Sequence, residues 1–315
     1  MIPEVSVVMS VFNEEEYLKE AIDSILNQTF ANFEFIIVDD GSTDKSLDII
    51  KHYNDSRIRI LKQKNTGLAI ALNNGIKVSN SPFIARMDAD DIALPERLEK
   101  QVRFLKDHED YILVGSNVLV IDKDGEFVYQ SKLPLSWKEI QAKFPDSSFF
   151  HSSVIFRLDT FDRCGGYFEE ISIFNCFEDS ILWNQMKQYG KMANIDAPLL
   201  KYRLRPTAST QKSGRKAIIT NGVFKEIIRD GCLSDKNREI LLRNKSEANT
   251  TDQLFTYHIH LAKKYLLNNQ SSIKSRSHII DALKINPFKI FPYWLFMVSF
   301  LPNGILMRIY KHKKS

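Results

Sequence analysis

The amino-acid sequence predicts an α/β fold in which a mostly parallel sheet is flanked by helices and is followed by a helical C-terminal extension. Three observations support this fold class. Apolar runs of strand length alternate with helical patterns through the first third of the chain, and polar residues follow the end of each predicted strand. From about residue 207 onward, the alternation gives way to helical periodicity alone. The sheet and the extension therefore occupy different parts of the chain.

The predicted elements follow one another in strand-helix order. A valine-rich run at residues 5–11 is typical of a parallel strand that is covered on both faces. Further strands are predicted at residues 33–38, 57–61 and 83–87, and helices at residues 15–28, around 47–50 and at 67–77. A hairpin with strands at 111–121 and 127–130 comes next. Helices are then predicted at residues 218–228, 235–242, 253–267 and 273–285.

Acidic and polar side chains are grouped at the ends of the first four predicted strands. The groups are Asn13 with Glu14, Asp39 with Asp40, residues 65–67, and Asp88 with Asp90 and Asp91. Any one group also fits a helix cap or a turn. In open α/β sheets, however, ligands bind outside the carboxyl ends of the strands. Four such groups together predict a ligand site at this edge of the sheet.

These side chains suit a nucleotide diphosphate held with a metal ion. Crowded carboxylates repel one another, and Mn²⁺ or Mg²⁺ would compensate them while bridging to phosphate oxygens. Asp40 can accept a hydrogen bond from an imide N–H of uracil, and Glu14 from ribose hydroxyls. Lys64 and Arg86 are nearby cations that could either assist or serve as ordinary surface and strand-flanking charges. The sequence has no Walker A motif and no G-x-G-x-x-G motif at the first strand, which disfavours P-loop NTPases and nicotinamide dehydrogenases.

Together these motifs resemble the family 2 glycosyltransferases of the GT-A (Rossmann-like) fold, of the bacterial cell-surface polysaccharide and lipopolysaccharide type. The resemblance is close over residues 4–110 and looser to about residue 210. It implies a nucleotide-diphosphate sugar as donor, with Asp40 on uracil and with Asp88 and Asp90 as the metal-binding D-x-D motif. The donor-binding residues that it implies are Val11, Asn13, Glu14, Asp40, Asn65, Gly67, Arg86, Asp88, Ala89 and Asp90.

The resemblance also assigns residues to the acceptor side. His151 matches a His-x-Ser on a strand near the donor sugar, although a lone histidine among aromatics is more often a core residue. Asp179 follows Glu178 at a predicted helix start and matches the family's general base. A helix cap is the alternative reading of Asp179, and a cap does not exclude that function. Direct displacement with one base would invert the configuration at the anomeric carbon.

The chain departs from the family at one motif. Many relatives carry Tyr-Arg-x-His after the last strand, and the corresponding residues here are Tyr202, Arg203, Leu204 and Arg205. Arginine does not ligate a metal, but Arg203 and Arg205 could contact the diphosphate as fixed cations. We therefore expect the protein to hold the metal less completely than its relatives do.

Charge divides the chain into two parts. Residues 211–315 carry 19 Lys and Arg against 7 Asp and Glu, whereas residues 1–210 carry 24 against 32. We expect residues 1–210 to form the catalytic domain, with donor binding in 1–110 and the acceptor side in 111–210. Residues 211–315 would form a basic helical region. The three cysteines show no metal or disulfide spacing, and no signal peptide is evident, so a cytoplasmic location is expected.

The apolar segment 290–307 ends in a basic tail. Pro292 and Pro302 interrupt it, which argues against a membrane-spanning helix. It suits peripheral binding to the anionic inner face of the cytoplasmic membrane. The alternative is a helical hairpin packed on the catalytic domain or on another subunit, which would make the C-terminal helices an oligomer contact.

The expected reaction is sugar transfer to a saccharide or lipid-linked saccharide in surface-glycan synthesis. Other functions compatible with the sequence are a nucleotidyltransferase on a related sheet and a non-catalytic module that binds nucleotide sugars or nucleic acid. The acidic loop after the first strand disfavours a nucleotidyltransferase. Few aromatic residues lie among the C-terminal lysines, so we expect no nucleic-acid partner.

Overall fold

A parallel sheet forms the N-terminal part of the computed structural model, which describes residues 2–144, 148–174, 176–206, 214–246, 250–268, 271–302 and 305–306. Its strands are β1 (Val5–Val11), β2 (Phe33–Asp39), β3 (Ile58–Lys62) and β4 (Phe83–Met87). β1 pairs in parallel with both β2 and β4, and β2 pairs in parallel with β3. The apolar residues of β1, β2 and β4 are buried, which confirms strands covered on both faces.

The rest of the sheet contains antiparallel pairs. Its strands are β5 (Ile92–Ala93), β6 (Tyr111–Ile121), β7 (Phe127–Gln130), β8 (Ile155–Arg157) and β9 (Lys191–Arg203). β8 pairs antiparallel with β4 and β6, and β5 pairs antiparallel with β9. The strand order is β3-β2-β1-β4-β8-β6-β9-β5. The mixed sheet and its flanking helices confirm the predicted fold class.

Helices that bury one apolar stripe connect and cover these strands. α1 buries Leu18, Ala21, Ile22 and Ile25, which recur at the period of an α-helix. α1 begins later than residue 15, since residues 15–17 form a turn in which the Tyr17 N–H donates to the Glu14 carbonyl at 3.2 Å. The helices are α1 (Leu18–Leu26), α2 (Ser46–His52), α3 (Leu68–Lys77), α4 (Arg97–Asp107), α5 (Trp137–Lys143), α6 (Leu158–Cys164) and α7 (Glu178–Met186).

His151 does not lie on a strand, contrary to the prediction. Residues His151–Ser153 form a 3₁₀ turn, and β8 starts only at Ile155. The Ser153 amide and hydroxyl both donate to the Phe150 carbonyl, at 2.9 Å each. Such local hydrogen bonds from serine compete with strand pairing.

The chain divides into two compact units. Unit 1 comprises Met1–Leu119, Ser131–Tyr202 and Thr220–Glu239, and unit 2 comprises Val120–Gln130, Arg203–Ile219 and Ile240–Ser315. The C-terminal helices are α8 (Gly214–Asp230), α9 (Asp235–Ser246), α10 (Thr250–Leu267), α11 (Ser272–Ile285) and α12 (Ile290–Val298). Helices overlap each of the positions predicted for this region.

Within unit 2, α10, α11 and α12 enclose a small apolar core. Ala262, Leu266, Ile279 and Leu295 are buried there. α12 ends at Val298, so the apolar segment is not a single helix to residue 307. The basic tail at residues 308–315 lies outside the described residues. Across the described part of the chain, every helix is too short or too polar to cross a bilayer.

Candidate active site

The loops after β1 and β2 are fastened to each other at the carboxyl edge of the sheet. Asn13 has a φ of 55°, and its amide donates to Ser42 Oγ at 3.1 Å. Asn13 Oδ1 accepts from the Thr43 amide at 2.8 Å, and the Glu14 amide donates to Ser46 Oγ at 2.8 Å. The buried end of β1 also joins them, since the Val11 carbonyl accepts from the Asp40 amide at 2.8 Å. Two predicted groups of polar residues are thereby brought together.

Asp40 organises the loop between β3 and α3. It is 2% exposed, and its Oδ1 accepts from Gln63 Nε2 at 2.7 Å and from the Thr66 amide at 2.9 Å. Its Oδ2 accepts from the Gly67 amide at 2.9 Å. A carboxylate oxygen has two lone pairs, so Oδ2 keeps acceptor capacity for a ligand. Asn65 in the same loop is exposed to solvent.

The aspartates after β4 form a compact group of carboxylates. One oxygen from each of Asp88, Asp90 and Asp91 lies within 4.8 Å of the other two. Asp91 is 1% exposed and accepts a hydrogen bond from Ser152 Oγ, so it is held inward. Asp88 and Asp90 are only half-buried, whereas Ala89 between them is 4% exposed. Hard oxygen ligands at this spacing fit Mg²⁺ or Mn²⁺, with Asp88 and Asp90 as the accessible ligands.

Arg86 is a buried positive charge beside these carboxylates. Its side chain is 2% exposed, and its guanidinium pairs with Asp88. The same charge acts on the carboxyl groups of Glu178 and Asp179 and on the imidazole of His151. Among the described residues, Arg86 Nε has no hydrogen-bond acceptor. A buried guanidinium with an unused donor fits an anionic ligand.

Glu178 and Asp179 occupy the first turn of α7. Phe177, directly before them, has a φ of 61°, a left-handed conformation that costs energy for a bulky residue. Burial and the adjacent Asp179 raise the pKa of Glu178 to about 7. Burial also raises the pKa of Asp179, against hydrogen bonds that its Oδ1 accepts from the Ser180 amide at 2.6 Å and hydroxyl at 3.2 Å. A carboxylate with a raised pKa is a stronger base than an ordinary one.

His151 is part of an aromatic cluster. Its Nε2 lies 2.7 Å from the Tyr167 hydroxyl, and its ring meets the Trp183 ring edge-on at 5.9 Å. Burial, followed by the charge of Arg86, lowers the pKa of His151 well below its usual value, so the imidazole is neutral. Burial also raises the pKa of Tyr167 and keeps its hydroxyl protonated. The pair is therefore a neutral hydrogen bond next to Arg86.

Two residues beside His151 and α3, Asn73 and Tyr167, were not identified from the sequence as site residues. Asn73 on α3 accepts from the Tyr167 amide at 2.9 Å and donates to the Tyr167 carbonyl at 2.9 Å. Gly166 approaches so closely that a Cβ there would lie 2.9 Å from Asn73 Oδ1. The available signals were Asn73 within the conspicuous Asn73-x-Gly75 motif and the glycine pair before Tyr167.

Arg203 and Arg205 belong to unit 2. Arg203 is 3% exposed, and its Nη1 donates to the Lys123 carbonyl at 3.2 Å and to the Asp122 carbonyl at 3.5 Å. Its guanidinium thus supports the turn between β6 and β7. Arg205 is half-buried.

Comparisons with known proteins identify the class. The chain superimposes on S. aureus TarS in complex with UDP-GlcNAc with a TM-score of 0.55 at 17% identity, covering 89% of each chain. A mannosyltransferase, PcManGT from Pyrobaculum calidifontis in complex with GDP-Man and Mn²⁺, gives a TM-score of 0.51 at 18% identity, over 96% of this chain and 87% of that one. The fold is that of the GT-A glycosyltransferases.

Sequence relationships place the chain within that class. The profile of Glycosyl transferase family 2 matches residues 6–166. The glycosyltransferase EpsE of Bacillus subtilis is 36% identical over 217 residues, which are 67% of this chain and 77% of EpsE. The O-antigen biosynthesis glycosyltransferase WbnJ of Escherichia coli is 35% identical over 216 residues, 66% of this chain and 82% of WbnJ. This chain belongs to glycosyl transferase family 2, and the predicted family is confirmed.

Proposed function

We propose that this chain is an inverting, metal-dependent hexosyltransferase that moves a sugar from a nucleotide-diphosphate sugar, a UDP-sugar, to a saccharide or lipid-linked saccharide. One observation carries the proposal. The accessible carboxylates Asp88 and Asp90 lie beside buried Arg86, whose charge also acts on the Glu178–Asp179 pair. The charge of one guanidinium thus acts both on a carboxylate suited to a metal–diphosphate complex and on a carboxylate suited to act as the base.

The proposed reaction is a single displacement. Asp179 accepts the proton of an acceptor hydroxyl while that oxygen forms a bond to the anomeric carbon. The bond from this carbon to the diphosphate oxygen breaks, and the nucleoside diphosphate leaves with the electron pair. Attack opposite the leaving group inverts the anomeric configuration. A divalent cation held by Asp88 and Asp90 would neutralise charge on the diphosphate.

The chain's own residues supply the rest of the donor site. Arg86 balances the negative charge beside the diphosphate, and neutral His151 offers a hydrogen-bonding imidazole near it. Asp40 accepts from uracil through its remaining lone pairs. The full donor set is Val11, Asn13, Glu14, Asp40, Asn65, Gly67, Arg86, Asp88, Ala89 and Asp90. Glu178 and His151 are proposed for the acceptor or diphosphate.

Donor binding is tested by thermal shift. We expect a UDP-sugar with Mn²⁺ to raise the melting temperature more than GDP-, dTDP- or CMP-sugars do, because a ligand that binds only the folded state stabilises it by mass action. A ligand at 100 times its dissociation constant adds about 2.7 kcal/mol. A larger shift with another nucleotide would change the donor assignment, and no shift with any of them would contradict the proposal.

Metal dependence is tested by titrating transfer activity against EDTA and Mn²⁺. We expect EDTA to abolish most transfer and Mn²⁺ to restore it, because the leaving diphosphate then loses its charge compensation. Undiminished transfer in EDTA would remove the metal from the mechanism and leave Arg86 as the principal cation.

The proposed biological setting is bacterial surface-glycan synthesis at the cytoplasmic face of the membrane. WbnJ is named for O-antigen biosynthesis and AmsE of Erwinia amylovora for amylovoran biosynthesis. We place the catalytic domain at residues 1–210 and a basic, membrane-associated region at 211–315. Large apolar side chains near α12 support this, since Phe288 is 91%, Ile290 83% and Met297 72% exposed. Apolar groups at such exposure suit insertion into the headgroup region of an anionic bilayer.

A further inference from the structure

Unit 2 contains a second group of candidate metal ligands, separate from the aspartates after β4. His258 lies on α10, and His278 and Asp281 lie on α11. One ligand atom of each lies within 4.8 Å of the other two. None of the three belongs to the motifs that carry the glycosyltransferase resemblance.

The distance between the two imidazoles is close to the spacing of two ligands on one ion. His258 Nδ1 and His278 Nδ1 are 3.0 Å apart. Two nitrogens bound tetrahedrally to zinc, at about 2.0–2.1 Å each, are separated by about 3.3 Å. His278 and Asp281 are three residues apart on α11, so they share one face of the helix. Small side-chain movements would therefore place all three ligands around one ion.

Aromatic residues hold both imidazoles in position. The Tyr265 ring stacks on His278 with a centroid distance of 5.6 Å and an interplanar angle of 10°. The Tyr257 ring meets His258 edge-on at 5.4 Å. The hydroxyl of Tyr265 donates to Asp122 Oδ2 at 3.0 Å, which anchors the stacked ring in turn. Rings oriented in this way lose little freedom when they ligate a metal.

The surrounding charge is compatible with a cation. Asp281 Oδ1 accepts from Lys284 Nζ at 2.8 Å, but the side chain of Lys284 is 71% exposed and can turn into solvent. The carboxylate also has a second oxygen. In the absence of an ion, the two Nδ1 atoms can share only one proton, one donating and the other accepting. An ion would instead use both nitrogen lone pairs.

We propose that unit 2 binds one divalent transition-metal ion, zinc, through His258, His278 and Asp281, and that this ion fastens α10 to α11. Three protein ligands leave the fourth tetrahedral position for water. Two imidazoles and a carboxylate favour Zn²⁺ or Co²⁺ over Mg²⁺, unlike the all-oxygen group of Asp88 and Asp90. The proposal does not depend on the proposed transferase mechanism.

The test is metal binding by the full-length chain. The protein is stripped with EDTA, dialysed and titrated with Co²⁺ in excess Mg²⁺, which occupies the aspartate site. We expect one equivalent of Co²⁺ with the visible spectrum of a tetrahedral site, displaced by Zn²⁺. His258→Gln and His278→Gln should each abolish that spectrum. His260→Gln, on the same helix but outside the group, should retain it.

A second measurement covers variants that fold poorly. Zn²⁺ should raise the melting temperature of the wild type by mass action, and this shift should shrink in Asp281→Asn, a near-isosteric change at a position with 36% side-chain exposure. Circular dichroism in EDTA checks the fold of each variant. The proposal is overturned if the wild type binds no Co²⁺ beyond the aspartate site. It is equally overturned if folded His258→Gln and His278→Gln proteins bind as the wild type does, or if Asp281→Asn shows the full zinc shift.

Discussion

Arg86 is the residue on which the acidic groups of the candidate site depend. It is almost fully buried, it pairs with Asp88, and its charge also acts on Glu178 and Asp179. Isolated buried charges are costly, and a buried charge persists only where partners offset its desolvation. The carboxylates of this site therefore help to offset the desolvation of Arg86. Burial is the main cause of the raised pKa values of Glu178 and Asp179, and the charge of Arg86 opposes it.

The base assignment predicts a loss of rate without a loss of fold. Asp179→Asn removes the proton acceptor, so we expect kcat to fall about 10²–10⁴-fold with an almost unchanged melting temperature. Asp159→Asn is the matched control, because Asp159 Oδ1 accepts from the amide and hydroxyl of Thr160 at 2.7 and 3.3 Å, as Asp179 does from Ser180. Equal activity in the two variants would contradict the assignment of Asp179 as the base.

The raised pKa of Glu178 predicts how the free energy of unfolding changes with pH. Its pKa is raised from 4.5 to about 7 by burial and by Asp179, so the folded protein holds a proton that the unfolded chain releases. The free energy of unfolding should therefore fall as pH rises from about 4.5 to 7. Glu178→Gln cannot ionise, and we expect it to reduce this fall by about 1–3 kcal/mol. Urea unfolding at several pH values in EDTA measures the difference, and parallel curves for the two proteins would refute it.

At the scale of elements, the start of α3 is built around a close backbone contact. Gly67 has a φ of 91° and a ψ of 170°, a conformation that is almost restricted to glycine. Its amide donates to Asp40, and Ser172 Oγ accepts from the Ile70 amide at 3.0 Å. The loop after β3, the helix α3 and the segment around Ser172 are thereby joined. Together with the hydrogen bond from the Asp40 amide to the Val11 carbonyl, these contacts bring the carboxyl ends of β1, β2 and β3 together.

Gly67→Ala should destabilise the protein strongly. An added Cβ would lie 2.3 Å from the Ser172 carbonyl oxygen, and the backbone conformation is itself strained for alanine. We expect a loss of about 3 kcal/mol or more in chemical denaturation. Gly165→Ala is the control, because Gly165 has a φ of 79° with nothing within 4 Å of the new Cβ, so it should lose only about 1 kcal/mol. Similar losses would show that the contact with Ser172 relaxes freely.

At the scale of the whole molecule, chemistry is divided between the two units. Unit 1 carries the acidic strand ends and the candidate base, and it contains most of the region matched by the family profile. Unit 2 carries the exposed apolar residues near α12 and the His258 group. The residues of the candidate site and the exposed apolar residues near α12 therefore belong to different units.

The proposed membrane association predicts that vesicle binding depends on the exposed apolar side chains near α12. The triple variant Phe288→Ser, Ile290→Ser and Met297→Ser removes three highly exposed apolar side chains, so we expect its cosedimentation with anionic vesicles to fall several-fold. Ile2→Ser with Ile173→Ser, which are 70% and 45% exposed in unit 1, is the control and should sediment as the wild type does. Retained vesicle binding by the triple variant would contradict membrane insertion of these side chains and indicate that they contact another protein surface instead.

The sequence alone determined the first four strands, the hairpin and the family. The strands at 83–87, 111–121 and 127–130 were predicted with their observed limits, because apolar patterning and turn residues are local properties. The Asp88–Asp91 group followed from the rule that ligand sites lie at strand ends, and it proved to be compact. The family, which the profile match confirms, was also evident from the sequence.

Only the tertiary structure decided which side chains meet. Asn73 and Tyr167 are 94 residues apart in sequence, Arg86 and Glu178 are about as distant, and no periodic pattern links them. The 3₁₀ turn at His151 depended on hydrogen bonds to Phe150 that outweighed an apolar, strand-like sequence. Burial supplies the raised pKa of Glu178, and burial is a property of packing. Local patterns thus encode elements, whereas long-range contacts and desolvation set the chemistry of the site.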